Sequence, residues 1–169
     1  TTHELVDAQY RCWNEELLPA LAAERIHLLN IAAMQGEHLA FVRQYWRGEL
    51  EPILTPIVID PAHPFPRVLN KSLCIGVLLQ QDGHTALGVV TVPRVLPRIL
   101  HLPDSGDNTV RMVTLSGIVA YHLSELFEGY EVTGHAAFRV TRNSELYVNE
   151  EEADNLLEEI AESLENRRK

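Results

Sequence analysis

Apolar residues recur at helical spacing in four stretches of this chain and at strand spacing between them. Near the start, Thr1 and Glu4 stand three residues apart, which is the pattern of a capping box. The apolar residues that follow keep helical spacing, so we predict a helix from about Thr2 to Glu24 that Pro19 bends or ends early. A short strand, RIHLLNI, and a second helix, EHLAFVRQYWRGEL, are expected next.

The middle of the chain predicts strands and turns. We expect a long strand from Val68 to Gln80, and the Asp-Gly pair in QDGH predicts a hairpin to its partner, TALGVVTVP. Three prolines interrupt the next stretch, so Val95 to Leu102 is expected to be an edge strand or a loop. DSGDN predicts a surface turn, and TVRMV predicts another strand.

Two more helices, with a strand between them, are predicted after this strand. Thr114 is expected to cap a helix that runs to Phe127, and YEVTGHAAFRV predicts the strand. Asn149 is expected to cap a last helix, for which an apolar stripe at helical spacing is the evidence. The stripe consists of Ala153, Leu156, Leu157, Ile160, Ala161 and Leu164. The expected fold class is α+β, a single domain in which a mixed β-sheet packs with about four helices.

Composition and charge exclude several classes of protein. The formal net charge is −10, and residues 144–169 contribute nine acids against three bases. A broad basic footprint is therefore absent, which disfavours nucleic-acid binding. No stretch is apolar enough to predict a membrane span, and no signal-peptide pattern opens the chain. Cys12 and Cys74 suit free thiols in a reducing compartment, so we expect a cytoplasmic protein.

Neither the histidines nor the glycines form a known catalytic motif. The eight histidines show no metal-ligand spacing, and no metal site is predicted. Asp60 and His63 lie in LTPIVIDPAHPFPRVLN among four prolines, and no GxSxG motif supplies a nucleophile for them. We interpret this pair as a structural turn, with a metal-assisted hydrolase as the alternative. No P-loop or GxGxxG is present.

The run FRVTRN, residues 138–143, is the most suggestive polar cluster. On an extended strand, Arg139 and Thr141 share one face, and Arg142 and Asn143 follow at the strand's end. Guanidinium groups present a planar fork of donors that suits phosphate or carboxylate. The alternative is pairing with nearby acids such as Glu145, and both interpretations stay open.

Two sequence blocks at a set separation resemble the middle, or head, domain of bacterial polyphosphate kinases. The first is EPILTPIVIDPAHPFPRVLNKSL, the second is FRVTRNSELYVNEEEADNLLEEI, and HLSELF lies between them. The resemblance covers essentially residues 1–169 and implies a segment of a longer multidomain chain, as the missing initial Met also indicates. It departs from the family at Ser116 and Gly117, where an acidic pair is common, and at Arg67, where an aromatic is common.

The resemblance implies an enzyme that moves the terminal phosphoryl of ATP reversibly onto polyphosphate. Its phosphorylated histidine and its Mg²⁺ would belong to other domains, so the segment alone is expected to be inactive, without catalytic residues, and to bind no cofactor. The implied partners are polyphosphate, the remaining domains and further subunits of a homo-oligomer. The residues expected to contact polyphosphate are Arg139, Arg142, Asn143, Arg67 and Lys71. The rival hypothesis is an acidic protein-interaction module without catalysis.

Overall fold

The computed structural model describes residues 1–59, 66 and 68–140 of the chain. The α-helices are α1 (Thr2–Arg11), α2 (Leu18–Ala23), α3 (Gly36–Tyr45), α4 (Leu115–Tyr121) and α5 (Leu123–Leu126). The strands are β1 (Ile26–Leu28), β2 (Ile57–Ile59), β3 (Leu73–Gln81), β4 (His84–Thr91), β5 (Ile99–His101), β6 (Val110–Thr114) and β7 (Glu131–Arg139). No helix within these described ranges is long and apolar enough to cross a membrane.

The first helix is continuous past its proline. The predicted capping box between Thr1 and Glu4 is present at the start of α1. A π-helical stretch, Cys12–Leu17, joins α1 to α2, and the Leu18 amide bonds the Trp13 carbonyl five residues back. This wider turn comes just before Pro19, which has no amide to donate, and the helix continues to Ala23. The helix therefore ends one residue before the predicted Glu24, and of the two effects predicted for Pro19 the early end is wrong.

The α+β fold class is confirmed, but the strands form two sheets and not one. The smaller sheet is mixed, in the order β1-β6-β5, with β1 parallel to β6 and β5 antiparallel. The larger sheet is antiparallel, in the order β2-β4-β3-β7. Pro93 and Pro97 separate β4 from β5, and a proline cannot donate to a ladder. The interruption explains why β5 starts a new sheet, where it forms an edge as predicted.

The β3–β4 hairpin forms at the predicted turn. Asp82 and Gly83 both have positive φ, 49° and 79°, which is the backbone of a type I′ turn. Gln81 pairs with His84 across it, and the ladder continues to Cys74 opposite Thr91. The structure adds β2, which the sequence did not predict and which pairs with β4 at the sheet edge.

The two faces of the larger sheet differ in how they are covered. We call the side that carries Ile75, Val77 and Leu79 the inner face; it packs with α4, α5 and Trp46 in the main core. The opposite side, the outer face, carries Cys74, Gly76 and Leu78 of β3. Its paired residues on the other strands are Ile57, Ile59, Leu87, Val89, Thr91, Gly134, Ala136 and Phe138. A small second cluster covers only one end of the outer face: Val68, Cys74 and Val89, with Ile59, Phe138 and Val140 against them.

The predicted helix from Thr114 to Phe127 is interrupted at His122. Thr114 caps it as expected, since its hydroxyl accepts from the Gly117 amide at 3.0 Å. Inside an α-helix the Ile118 carbonyl would accept from the backbone amide of His122. Here the imidazole Nδ1 of His122 lies 2.9 Å from that oxygen, and the backbone amide bonds Val119 instead. The side chain thus replaces the backbone donor, which divides the helix into α4 and α5.

Candidate functional site

Two of the five predicted polyphosphate-contacting residues lie at the same end of the larger sheet. Arg139 is the last residue of β7 and pairs with Leu73, the first residue of β3. Lys71 comes two residues before Leu73, and its amide donates to the Val140 carbonyl at 2.9 Å. Both side chains are exposed. The β3–β7 ladder therefore brings a guanidinium and an ammonium group to one edge of the molecule.

The second hydrophobic cluster fixes this end of the sheet. Phe138 and Val140 pack against Val68 and Cys74, as expected for alternate residues of one strand face. Arg139 lies between Phe138 and Val140 in the sequence, so its side chain leaves from the opposite face. The buried cluster thereby holds the backbone of the cationic end in place.

A tight turn presents Lys71 at this end. The Ser72 amide donates to the Leu69 carbonyl at 3.1 Å, and Lys71 itself has a φ of +60°. The Ser72 hydroxyl beside it is buried and has no hydrogen-bond partner among the residues that the structure describes. Because the Ser72 side chain is buried, the exposed donors described at this end of the sheet are those of Lys71 and Arg139.

The chemistry of this end suits an anion. Neither Arg139 nor Lys71 forms an ion pair with another residue in the described part of the chain. A guanidinium group can donate to two oxygens of one phosphate, and an ammonium group adds a further charge and up to three donors. Arg67, Arg142 and Asn143, the other predicted contacts, lie outside the described residues, and so do Asp60, His63 and the acids from Glu145 onward.

A buried aromatic cluster, which the sequence did not reveal, lies at α5. The rings of Trp46 and His122 stack with their centroids 4.3 Å apart and their planes 6° from parallel. The Trp46 indole donates to the Glu125 carboxylate at 3.2 Å, and His122 Nε2 lies 3.9 Å from the other Glu125 oxygen. Because the Ile118 carbonyl can only accept, His122 Nδ1 is the donor in the hydrogen bond between them.

This cluster borders a cavity of about 360 Å³ with a charged rim. The cavity is lined by Arg43, Trp46, Arg47, Tyr121, His122 and Glu125. The two stacked rings are only 1% and 2% exposed, so neither presents a face on which a ligand could stack. We assign the stack a structural role, which joins the end of α3 to the break between α4 and α5. Nothing in the sequence identified Trp46 as the partner of His122.

The clearest pKa shifts belong to a surface turn. The turn is DSGDN, residues 104–108. The guanidinium of Arg111, which follows it, donates to the Asp107 carboxylate in the turn, with Nη1 2.9 Å from Oδ1. This hydrogen bond lowers the pKa of Asp107 well below its usual range. Asp107 also accepts from the Thr109 amide at 3.2 Å, and Gly106 and Asn108 adopt positive φ. The predicted surface turn is confirmed, and its charges serve to close the turn.

The Mg²⁺ that the family resemblance implies has definite ligand requirements. Mg²⁺ is held by oxygen ligands, usually one or two carboxylates with phosphates and waters. Within residues 1–59, 66 and 68–140, no three His, Cys, Asp or Glu side chains converge on a point that could hold a metal ion. These residues do not fit the group, and no chemical step through Mg²⁺ is assigned to them.

The chain is similar in sequence to polyphosphate kinases from several bacteria. A family model described as the polyphosphate kinase middle domain matches residues 37–169. A polyphosphate kinase of Xylella fastidiosa (strain 9a5c) is 44% identical over 163 residues, which are 92% of this chain and 23% of that protein. One from Pseudomonas aeruginosa is 39% identical over 173 residues, 98% of this chain and 25% of that protein.

The fold is also similar to that of a solved structure. The crystal structure of polyphosphate kinase from Porphyromonas gingivalis superposes with a TM-score of 0.75 at 28% sequence identity. The superposition covers 82% of this chain and 24% of that chain. This chain thus spans about a quarter of the length of the relatives that it matches. It belongs to the polyphosphate kinase family, and residues 37–169 match the family's middle domain.

Proposed function

We propose that this chain is part of an enzyme that reversibly transfers the terminal phosphoryl group of ATP to polyphosphate. In this proposal the described domain is a scaffold, contributes to subunit contacts, and forms part of a wall along which polyphosphate lies. The family membership and the names of the relatives support the parent activity. The convergence of Lys71 and Arg139 at one sheet end carries the proposal of a wall.

The catalytic step is proposed for other parts of the parent chain. A phosphohistidine, ATP and Mg²⁺ would lie there, in a homo-oligomeric cytoplasmic enzyme, and Mg²⁺ would neutralise charge on the transferring group. The buried stack occupies His122, and the described residues do not fit a metal ion. The middle domain's share is then to bind and orient the polymer, and alone it would transfer no phosphoryl group.

Electrostatics explains how a small cationic edge can bind a long polymer. Polyphosphate carries about one negative charge per phosphate and holds counterions as nucleic acids do. An exposed cation that contacts the chain releases counterions, so binding should weaken as salt rises. Two exposed cations on a rigid sheet end would contact neighbouring phosphates with little loss of backbone entropy, because the second cluster already fixes their positions.

The test is a polyphosphate titration at several salt concentrations. The double variant Lys71→Gln/Arg139→Gln should bind polyphosphate of defined length about ten-fold more weakly at low salt. An exposed ion pair contributes up to about 1 kcal/mol, and a loss of about 1.4 kcal/mol over the two contacts is ten-fold in affinity. The slope of log affinity against log salt should flatten by about 0.7 for each cation that no longer neutralises a phosphate. Arg142→Gln, added as a third substitution, should extend both changes.

The matched control is the double variant Arg43→Gln/Arg47→Gln. It removes the same net charge from another exposed surface, at α3 and the turn that follows. We expect its affinity and salt slope to stay close to those of the unmodified chain. Equal losses in both double variants would show that only net charge matters. A weaker affinity in the control alone would place the binding surface at α3, and no polyphosphate binding at any salt would favour the acidic interaction module.

A further inference from the structure

The outer face is apolar over three successive registers, and in the described part of the chain it is exposed at Leu78, Leu87 and Ala136, beyond the end that the second cluster covers. At three successive registers its paired residues are Cys74 with Thr91 and Phe138, Gly76 with Val89 and Ala136, and Leu78 with Leu87 and Gly134. None of these residues is charged. The Leu78 side chain is 50% exposed and Leu87 is 39% exposed, although both lie inside a four-stranded sheet. Strand interiors with such residues are normally covered by another layer.

Small residues make this face shallow along β3 and β7. Gly76, Gly134 and Ala136 lie next to each other, and the larger Leu78, Leu87 and Phe138 border them. A Cβ atom added at Gly76 would lie 3.6 Å from the Phe138 ring, and one added at Gly134 would lie 3.5 Å from Leu78. The face thus offers a depression into which a row of apolar side chains could pack.

The chain contains one segment with a matching apolar row. Residues 149–164 predict an amphipathic helix whose stripe, Ala153 to Leu164, has helical spacing. Seven acids and no bases occupy its other positions, so the predicted helix has one apolar side, which is stable only when buried, and one acidic side, which is stable in solvent. A helix of this length measures about 24 Å, and a nine-residue strand such as β3 about 30 Å.

The connection to the sheet is short. β7 ends at Arg139, and residues 141–148 separate that end from the start of the segment. Eight residues span at most about 27 Å, so the segment begins close to the same sheet end and can return along the sheet. We propose that residues 149–164 dock on the outer face and complete the second side of the larger sheet. The docking would also hold residues 141–148, with Arg142 and Asn143, beside Lys71 and Arg139.

One other apolar surface, on α1, and one other occupant, the segment of a second copy, fit less well. The helix α1 exposes Leu5 and Tyr10, at 74% and 63%, but four acids and one base lie along residues 1–23. An acidic segment would be repelled there, whereas the middle of the outer face carries no charge. The segment of a second copy would have to be brought from another molecule, whereas the chain's own segment is tethered at the end of β7 and has a high effective concentration.

Hydrogen–deuterium exchange on the full 169-residue chain tests the docking. Amides of residues 149–164 should exchange at least ten-fold more slowly than unstructured peptide of the same sequence. Leu78→Asp should remove that protection, because it places a charge in the middle of the face. Leu5→Asp, the matched control on α1, should leave it unchanged. Exchange of the Val77 and Leu79 amides shows separately whether the sheet is still folded. If Leu78→Asp unfolds the sheet, Leu87→Thr is a milder second variant.

Each of the remaining outcomes would overturn the proposal. Fast exchange of residues 149–164 in the unmodified chain would show that nothing covers the stripe. Loss of protection in Leu5→Asp but not in Leu78→Asp would place the segment on α1. If the protection of residues 149–164 disappears when the protein is diluted, the outer face is covered by the segment of a second copy. The measurement contains no polyphosphate, so its failure would leave the proposed function standing, and a failed polyphosphate titration would leave the docking standing.

Discussion

The inner and outer faces of the larger sheet belong to the same strands but differ in how the described residues use them. On the inner face Ile75, Val77 and Leu79 are at most 1% exposed and pack with the helices in the main core. On the outer face only the end near Cys74 is buried, and the side chain of Leu78 is half exposed. The described residues therefore bury the inner face of β3, whereas they cover the outer face of this strand only near Cys74.

Glycine illustrates the same difference. Gly88 lies on the inner face, where an added Cβ would come within 2.7 Å of the buried Phe127 ring and 3.0 Å of Leu79. Gly76 lies on the outer face, where the nearest side-chain atom would be 3.6 Å away. The first glycine makes room for a packed ring, whereas the second leaves a depression. The two positions therefore differ in how closely neighbouring side chains pack around them, and not in backbone conformation.

The largest expected effect compares Leu79→Ala with Leu78→Ala. Leu79→Ala should lower the free energy of unfolding by about 2–5 kcal/mol, because it opens a cavity in the main core. Leu78→Ala should cost clearly less, and most of its cost should vanish in a chain that ends at residue 148. Denaturant unfolding of the parent chain and of both variants, at each of the two chain lengths, measures these costs. Equal costs for the two substitutions in the shortened chain would break the distinction between the faces.

A smaller difference is expected between Gly88→Ala and Gly76→Ala. Gly88→Ala should cost about 1–3 kcal/mol, because the Phe127 ring is enclosed and cannot move aside without strain. Gly76→Ala should change stability by less than about 1 kcal/mol, since alanine replaces a residue that weakens strand interiors. Thermal unfolding of both variants and of the unmodified chain measures the two stability changes. A cost at Gly76 as large as that at Gly88 would mean that the outer face is packed as tightly as the inner one.

The smallest perturbation is chemical labelling of the two thiols in the unmodified chain. Cys74 is fully buried beneath the second cluster, whereas Cys12 is partly exposed on the first helix. A thiol-specific reagent should label Cys12 quickly and Cys74 only at the rate at which the sheet opens. Cys12→Ser should remove the fast phase. A fast reaction that persists in Cys12→Ser would show that the covered end of the outer face is open too.

Local sequence patterns predicted the elements well where neighbouring residues determine the structure. The turn at Asp82 and Gly83 needs positive φ at two adjacent positions, and Thr114 caps its helix through a residue three places on. The α+β class and the family followed from the same patterns and motifs. These features require no knowledge of distant contacts.

Features that depend on distant residues were not predicted. The strand β2 has three residues after a proline, too few to show alternation, and it exists only because β4 offers an edge. The break at His122 depends on an imidazole that replaces a backbone donor. Its stack on Trp46 joins residues far apart in the sequence. Of the predicted anion contacts, Lys71 and Arg139 lie at the same sheet end because β3 pairs with β7, and their binding role remains a prediction.

Lys71 shows how stability and charge oppose each other at a single residue. Its φ of +60° is a conformation that costs a lysine about 1 kcal/mol or more relative to glycine. Any effort to make this chain more heat-resistant by relieving backbone strain would therefore select position 71 for glycine. The same change would discard one of the two cations at the sheet end. A thermostable variant obtained in this way would fold better and, under the proposed function, retain polyphosphate less well.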